Sequence, residues 1–171
     1  MIKYEYSEKN EIKQHTLIKT NKQRAVPAFV TLLIKKKNMN QINIQYYKTK
    51  YAEFILGTYD NKLCLLDFRY RRMRVSVDNR LKKGLNATFI EKDNQLLKET
   101  RKQLDEYFNM ERKDFDIPLL MVGTDFQKSV WDALLEVPYG STSTYLNLAK
   151  QINNEKAVRA VANANGANAI A

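Results

Sequence analysis

Residues 124–168, TDFQKSVWDALLEVPYGSTSTYLNLAKQINNEKAVRAVANANGAN, decide the fold of the second half of this chain. Thr124 and Gln127 make a T-x-x-Q capping box, in which side chains and backbone N–H groups satisfy one another at a helix start. Phe126, Val130 and Leu134 recur at four-residue spacing with Trp131 and Leu135 alongside, which is one apolar helix face. Pro138 and Gly140 end that helix. A second helix starts among the hydroxyls of STST, with Leu146, Ala149 and Ile152 facing inward. Asn153-Asn154 makes a turn, and a third helix follows, with Gly166 suited to a left-handed C-cap. Two short helices on a tight turn fit a helix-turn-helix, and an ordinary helical hairpin has the same spacing. Ala157, Ala160, Ala162 and Ala164 favour the former. Side chains this small bury little area, so they suit a helix that must approach a narrow groove or a partner backbone, with Arg159 projecting among them.

Upstream, INIQYYKT, AEFILGTY and KLCLLDFRY are rich in β-branched and aromatic residues and read as three antiparallel strands, with a turn at Asp60-Asn61. RYRRMR reads as a surface edge. DNQLLKETRKQLDEYF is a helix with Leu97, Leu104 and Phe108 in one stripe and Asp93 as its cap. The segment around Pro118 is a linker. The fold class is therefore α+β in two parts: a small α/β unit with a three-stranded antiparallel sheet over 39–120, and a helical unit with a helix-turn-helix over 121–171. Residues 1–38 form a separate basic extension, with nine Lys/Arg against three Asp/Glu and a KKK run at Lys35–Lys37 that reads as solvated. Met39 is a second possible start.

The chain has 171 residues, 44% hydrophobic, and a formal net charge of +10. A core is affordable and global disorder is excluded. The charge favours a polyanion, with nucleic acid ahead of an anionic membrane surface. A single cysteine excludes an internal disulfide framework and a zinc site built on several thiolates. AVPAFVTLLI, the longest apolar run, contains Pro27 and falls short of the roughly 20 residues a bilayer needs. No secretory signal opens the chain, so a cytoplasmic protein is expected.

The ordered motifs F-Q-x-x-V-W, P-Y-G, T-Y-x-x-L-A and R-A-V resemble the O6-alkylguanine-DNA alkyltransferases, also called methylated-DNA–protein-cysteine methyltransferases. YAEFILGTYDNKLCLLDF and LKETRKQLDEYFNMERKDFDIPL resemble the family's first, ribonuclease-H-like domain, so the likeness covers about 42–171. It implies DNA repair by stoichiometric transfer of an alkyl group from O6-alkylguanine, and from O4-alkylthymine, to a protein cysteine. The implied partner is double-stranded DNA carrying that lesion, with no cofactor, no metal and a monomeric protein. The O6 atom lies within the base stack, so the nucleotide must be extruded. The family does so from the minor groove, about 6 Å wide, which gives the alanines a reason. By the same resemblance Arg159 is the finger that fills the space left by the flipped base, and Tyr145 crowds the target phosphate. Asn154 and Gln127 contact the DNA backbone, and Asn168 orders the turn before the active site. Two positions depart from the pattern: Ala162 replaces a family glycine, and Asn168-Ala169 replaces N-P.

The family's nucleophile motif, P-C-H-R-V, is not among the 171 residues, and no catalytic residue is assigned. Cys64 sits inside KLCLLDF and reads as a core residue, and His15 is the only histidine. The expectation is an alkyltransferase sequence cut just before its active site and inactive as it stands, with an incomplete, marginally stable helical unit. The alternatives are a noncatalytic protein that binds alkylated DNA, or an adaptor whose helix pair binds another protein.

Overall fold

Asp60 and Asn61 both adopt positive φ, 48° and 53°, the pair of left-handed residues that suits a two-residue hairpin turn. The turn joins β2 (Glu53–Tyr59) to β3 (Lys62–Phe68). The computed structural model describes residues 40–170. The basic extension, its Lys35–Lys37 run, His15, Met39 and Ala171 lie outside the described residues. β1 (Asn40–Lys48) pairs antiparallel with β2, and β2 with β3, as the alternation predicts.

The sheet is nevertheless four-stranded and mixed, in the order β3-β2-β1-β4, which corrects the three-stranded antiparallel expectation. β4 (Ala87–Glu91) runs parallel to β1. It is reached through α1 (Arg74–Gly84) and a turn at Asn86, whose φ is 45°. Both elements carry weak sequence signals. α1 buries only Val77 and Leu81 of its eleven residues, and β4 has just five residues on a sheet edge.

α1 covers one face of the sheet, where Val77 and Leu81 meet Ile42, Ile44, Ile55 and Leu65. α2 (Gln95–Phe108) covers the other, where Leu97 and Leu104 meet Phe54 and Leu56. Successive β2 residues thus serve opposite cores, as a strand's two-residue period requires. Gly57 is needed where β2 and β3 crowd: a Cβ there would lie 2.9 Å from that of Leu65.

The cap of α2 is Asn94, not Asp93. Asn94 is extended (φ −151°, ψ 173°), its Oδ1 accepts from Leu97 N at 2.8 Å, and its Nδ2 donates to the buried Thr58 at 2.7 Å. Asp93 instead accepts from Arg101, a hydrogen bond that holds its carboxyl below the usual carboxylate range.

The linker around Pro118 lies on the free edge of β3. Leu63 N donates to Pro118 O, and Leu120 N to Leu63 O, both at 2.8 Å. Farther along the same edge, Leu66 N donates to Ala169 O at 2.9 Å. Two non-consecutive segments so satisfy backbone groups that an exposed edge would leave open, and both lead directly to the helical part.

Candidate nucleic-acid interface

α3 (Asp125–Leu135) starts at the capping box: Gln127 N donates to Thr124 Oγ1 at 3.2 Å and Thr124 N to Gln127 Oε1 at 3.0 Å. α4 (Tyr145–Gln151) is capped by Thr144, whose hydroxyl accepts from Asn147 N at 3.1 Å. Asn153, at φ 54°, turns the chain. Asn154 N closes the turn on Ala149 O at 2.8 Å. One 3-10 turn, Glu155–Ala157, then leads into α5 (Val158–Gly166). Val130, Ala133, Leu148, Ala149, Val161 and Ala164 form the shared core of the three helices.

This packing corrects three details. Leu146 is exposed, and Leu148 with Ala149 takes the inward face of α4. Gly166 does not adopt a left-handed conformation; it ends α5, with Ala167 as a right-handed cap. Ala164 is core, so its small side chain serves internal packing, whereas Ala160 is exposed beside Arg159.

The expected site residues fall as follows. Arg159 is exposed near the start of α5 and makes no ion pair among the described residues. Tyr145 opens α4, and its exposed hydroxyl accepts from Asn165 Nδ2 at 3.4 Å, which brings α4 and α5 together at one point. Asn154 is exposed, and its side chain makes no capping hydrogen bond. The Oε1 of Gln127 is held by the capping box, which leaves its amide hydrogens pointing elsewhere. Asn168 closes a small turn through its own side chain, accepting from Ile170 N at 3.1 Å.

Sequence reading missed the residues that fix this helix pair to the sheet. RYRRMR is exposed at Arg69, Tyr70, Arg72 and Met73, as a surface edge would be, but Arg71 and Arg74 turn inward. Asp67 is 1% exposed and accepts from Arg71 at 2.8 Å and Arg74 at 3.0 Å. Held in this way, Arg71 also donates to Gly166 O and, at 2.8 Å, to Asn168 O. Arg80 donates to Ala167 O at 2.5 Å and Val122 O at 2.9 Å, and stands 5.3 Å from the ring centre of Trp131. Burial, reinforced by Arg71 and Arg74, lowers Arg80 below the usual guanidinium range, yet an arginine stays charged. Trp131 is buried and donates to Ala164 O at 2.9 Å. Gly123 makes room for it, since a Cβ there would come within 2.6 Å of the indole. The only local clue to this set was the i,i+4 pair Asp67–Arg71.

The chain matches known proteins in two blocks. Residues 42–121 match the ribonuclease-like domain of 6-O-methylguanine DNA methyltransferases, and 125–171 match the DNA-binding domain of the same proteins. The crystal structure of the Mycobacterium tuberculosis O6-methylguanine methyltransferase aligns at a TM-score of 0.60 and 32% identity, over 76% of this chain and 73% of that one. The chain belongs to the 6-O-methylguanine DNA methyltransferase family. A structure of the M. tuberculosis protein in complex with DNA aligns at a TM-score of 0.61 and 31% identity, over 77% of this chain and 72% of that one. The methylated-DNA–protein-cysteine methyltransferase of Methanosarcina acetivorans is 53% identical over 77 residues, 45% of this chain and 49% of its own. The chain spans about half the length of the curated relatives it matches.

Cys64 is the sole cysteine. It is fully buried, its Sγ lies 3.5 Å from Gly57 O as a donor, and burial pushes the thiol up to about 12. The thiolate is the nucleophilic form, so this buried thiol stays almost wholly protonated at neutral pH. A thiol reagent added to the folded chain is expected to modify Cys64 at least about a hundredfold more slowly than in denaturant. Equal rates, read by mass, would place Cys64 at an accessible site. Among the described residues no group of three His, Cys, Asp or Glu could hold a metal ion, and no helix is long and apolar enough to cross a membrane.

Proposed function

We propose that residues 121–171 bind double-stranded DNA containing O6-alkylguanine through the minor groove and extrude the damaged base, within a two-part organisation divided near residue 120. The observation that carries this reading is the exposed face of α5, where Arg159 has no ion-pair partner among the described residues and stands beside Ala160 on a helix tied firmly to the sheet. Ala160 lets the helix approach a narrow groove, and Arg159 can occupy the gap in the stack. Tyr145 crowds the target phosphate, held toward α5 by Asn165. Asn154 and the free amide of Gln127 donate to flanking phosphates, contacts that position the protein without reading sequence. Asn168 keeps the turn after α5 in one shape. The protein acts as a cytoplasmic monomer, and O4-alkylthymine fits the same extrusion step.

Repair itself is the transfer of the alkyl group to a cysteine thiolate. Cys64, buried under α1 with its thiol pushed up to about 12, is not placed to perform it. Residues 1–171 therefore bind and extrude, and their one cysteine does not accept the alkyl group. Within these residues its behaviour is that of a noncatalytic alkylated-DNA-binding protein, which is the alternative reading for the whole protein.

The test uses a duplex with one 2-aminopurine, which brightens when unstacked. Arg159→Ala is expected to lower the fluorescence rise at saturating protein by about tenfold, with duplex affinity changed about threefold or less. Parallel loss of both would remove the finger role. A mass gain of one methyl after incubation with O6-methylguanine DNA would overturn the inactivity of residues 1–171.

A further inference from the structure

The last four carbonyls of a helix have no partner within it. At the end of α5 every carbonyl from Asn163 to Ala169 is nevertheless taken, and most donors come from outside the helix. Trp131 Nε1 takes Ala164 O. Arg71 takes Gly166 O and Asn168 O with one guanidinium, and Arg80 takes Ala167 O. Leu66 N takes Ala169 O, while Ala167 N and Asn168 N close on Asn163 O and Asn165 O. Two cations thus cap the negative end of the helix dipole.

A cleft of about 240 Å³ between α1 and the end of α5 is lined by Ser76, Val77, Arg80, Asn163 and Gly166, and Arg80 reaches across beside it to Ala167 O. Arg71 cannot swing away, because Asp67 holds the same guanidinium from inside the sheet. Arg159 and Gly166 are seven residues, or about two turns, apart on one helix face, so whatever fixes Gly166 fixes the direction of Arg159.

We infer that Arg71 and Arg80 are positioning residues for base extrusion: they clamp the C-terminal end of α5 and the Asn168 turn to the sheet, so that Arg159 meets the DNA at a fixed depth and angle. The inference rests on the extrusion reading given above. Arginine is required rather than a positive charge, since a lysine carries a single point donor group and cannot bridge Asp67, Gly166 O and Asn168 O in one plane.

Arg71→Lys and Arg80→Lys, both charge-preserving, are the variants to make in the 171-residue chain. Each is compared with the unaltered chain for duplex affinity, for the 2-aminopurine signal at saturation, and for hydrogen exchange at the amides of Asn168 and Ile170. The expected result is affinity within about twofold, an extrusion signal reduced about threefold or more, and faster exchange confined to the turn. If Arg71→Lys does not fold, Arg80→Lys carries the test alone, because its guanidinium has no carboxylate partner to orphan among the described residues. A purely structural role would lower affinity and extrusion together, in proportion to folded protein, and would overturn the inference. So would full extrusion in both variants despite loosened exchange. An unaltered chain that binds DNA with no fluorescence rise defeats the extrusion reading itself, and the positioning role with it.

Discussion

Trp131→Ala is expected to destabilise the described unit by about 4 kcal/mol, the largest effect of any single truncation considered for this chain. The indole is 2% exposed and joins three things: the core of the helical part, the end of α5 through Ala164 O, and the sheet side through Arg80. Truncation leaves a cavity, leaves Ala164 O with only the 3.1 Å bond from Ala167 N, and removes the surface on which a guanidinium rests. Gly123 cannot close the gap, since it has no side chain to offer. Trp131→Phe separates the contributions: it retains most of the buried area, loses only the N–H, and is expected to cost about 1–2 kcal/mol. Urea unfolding followed by circular dichroism measures both. Near-equal costs for the two substitutions would mean that the hydrogen bond, not the packing, dominates.

Asp67→Ala follows at about 3 kcal/mol, or about 10 °C in midpoint temperature. The carboxylate is almost fully buried between Arg71 and Arg74, whose side chains are 23% and 12% exposed. Breaking a buried pair leaves partly desolvated positive charge behind, which costs more than the pair contributes when intact. The consequence should extend beyond the sheet, because Asp67 orients the guanidinium that holds Gly166 O and Asn168 O. Amide exchange in 163–170 is expected to quicken together with exchange in β3. Loss confined to β3 would show that the arginine bonds to the α5 end survive without their carboxylate.

How much of this was legible in the sequence follows from the range of the forces involved. The capping box at Thr124 and Gln127, the Asp60-Asn61 hairpin and the helix stripe through Leu97 and Leu104 are local, and their spacing records them. The choice of Asn94 over Asp93 as a cap turned on a distant partner, Thr58, which sequence spacing cannot show. β4 escaped because five residues at a sheet edge need little apolar alternation. Arg71 and Arg80 escaped for a stronger reason. A guanidinium reads as surface charge until its partners are known, and here the carbonyls it holds lie 42 to 97 residues away and carry no side-chain identity at all. The exposed residues of the α4–α5 face, Arg159, Tyr145 and Asn154, came from family resemblance, since an exposed side chain with few contacts leaves little trace in periodicity or packing.

The central claim is that the exposed face of α5 enters a DNA groove too narrow for bulk. Duplex affinity of Ala160→Phe tests it most directly, because Ala160 is exposed and the substitution leaves every core contact and every described hydrogen bond in place. The expected result is an unchanged unfolding midpoint with duplex affinity reduced about tenfold or more, since a phenyl ring beside Arg159 would strike the walls of a groove about 6 Å wide. Unchanged affinity in a fully folded variant would contradict the claim and place the DNA, if it binds, on another face of the protein.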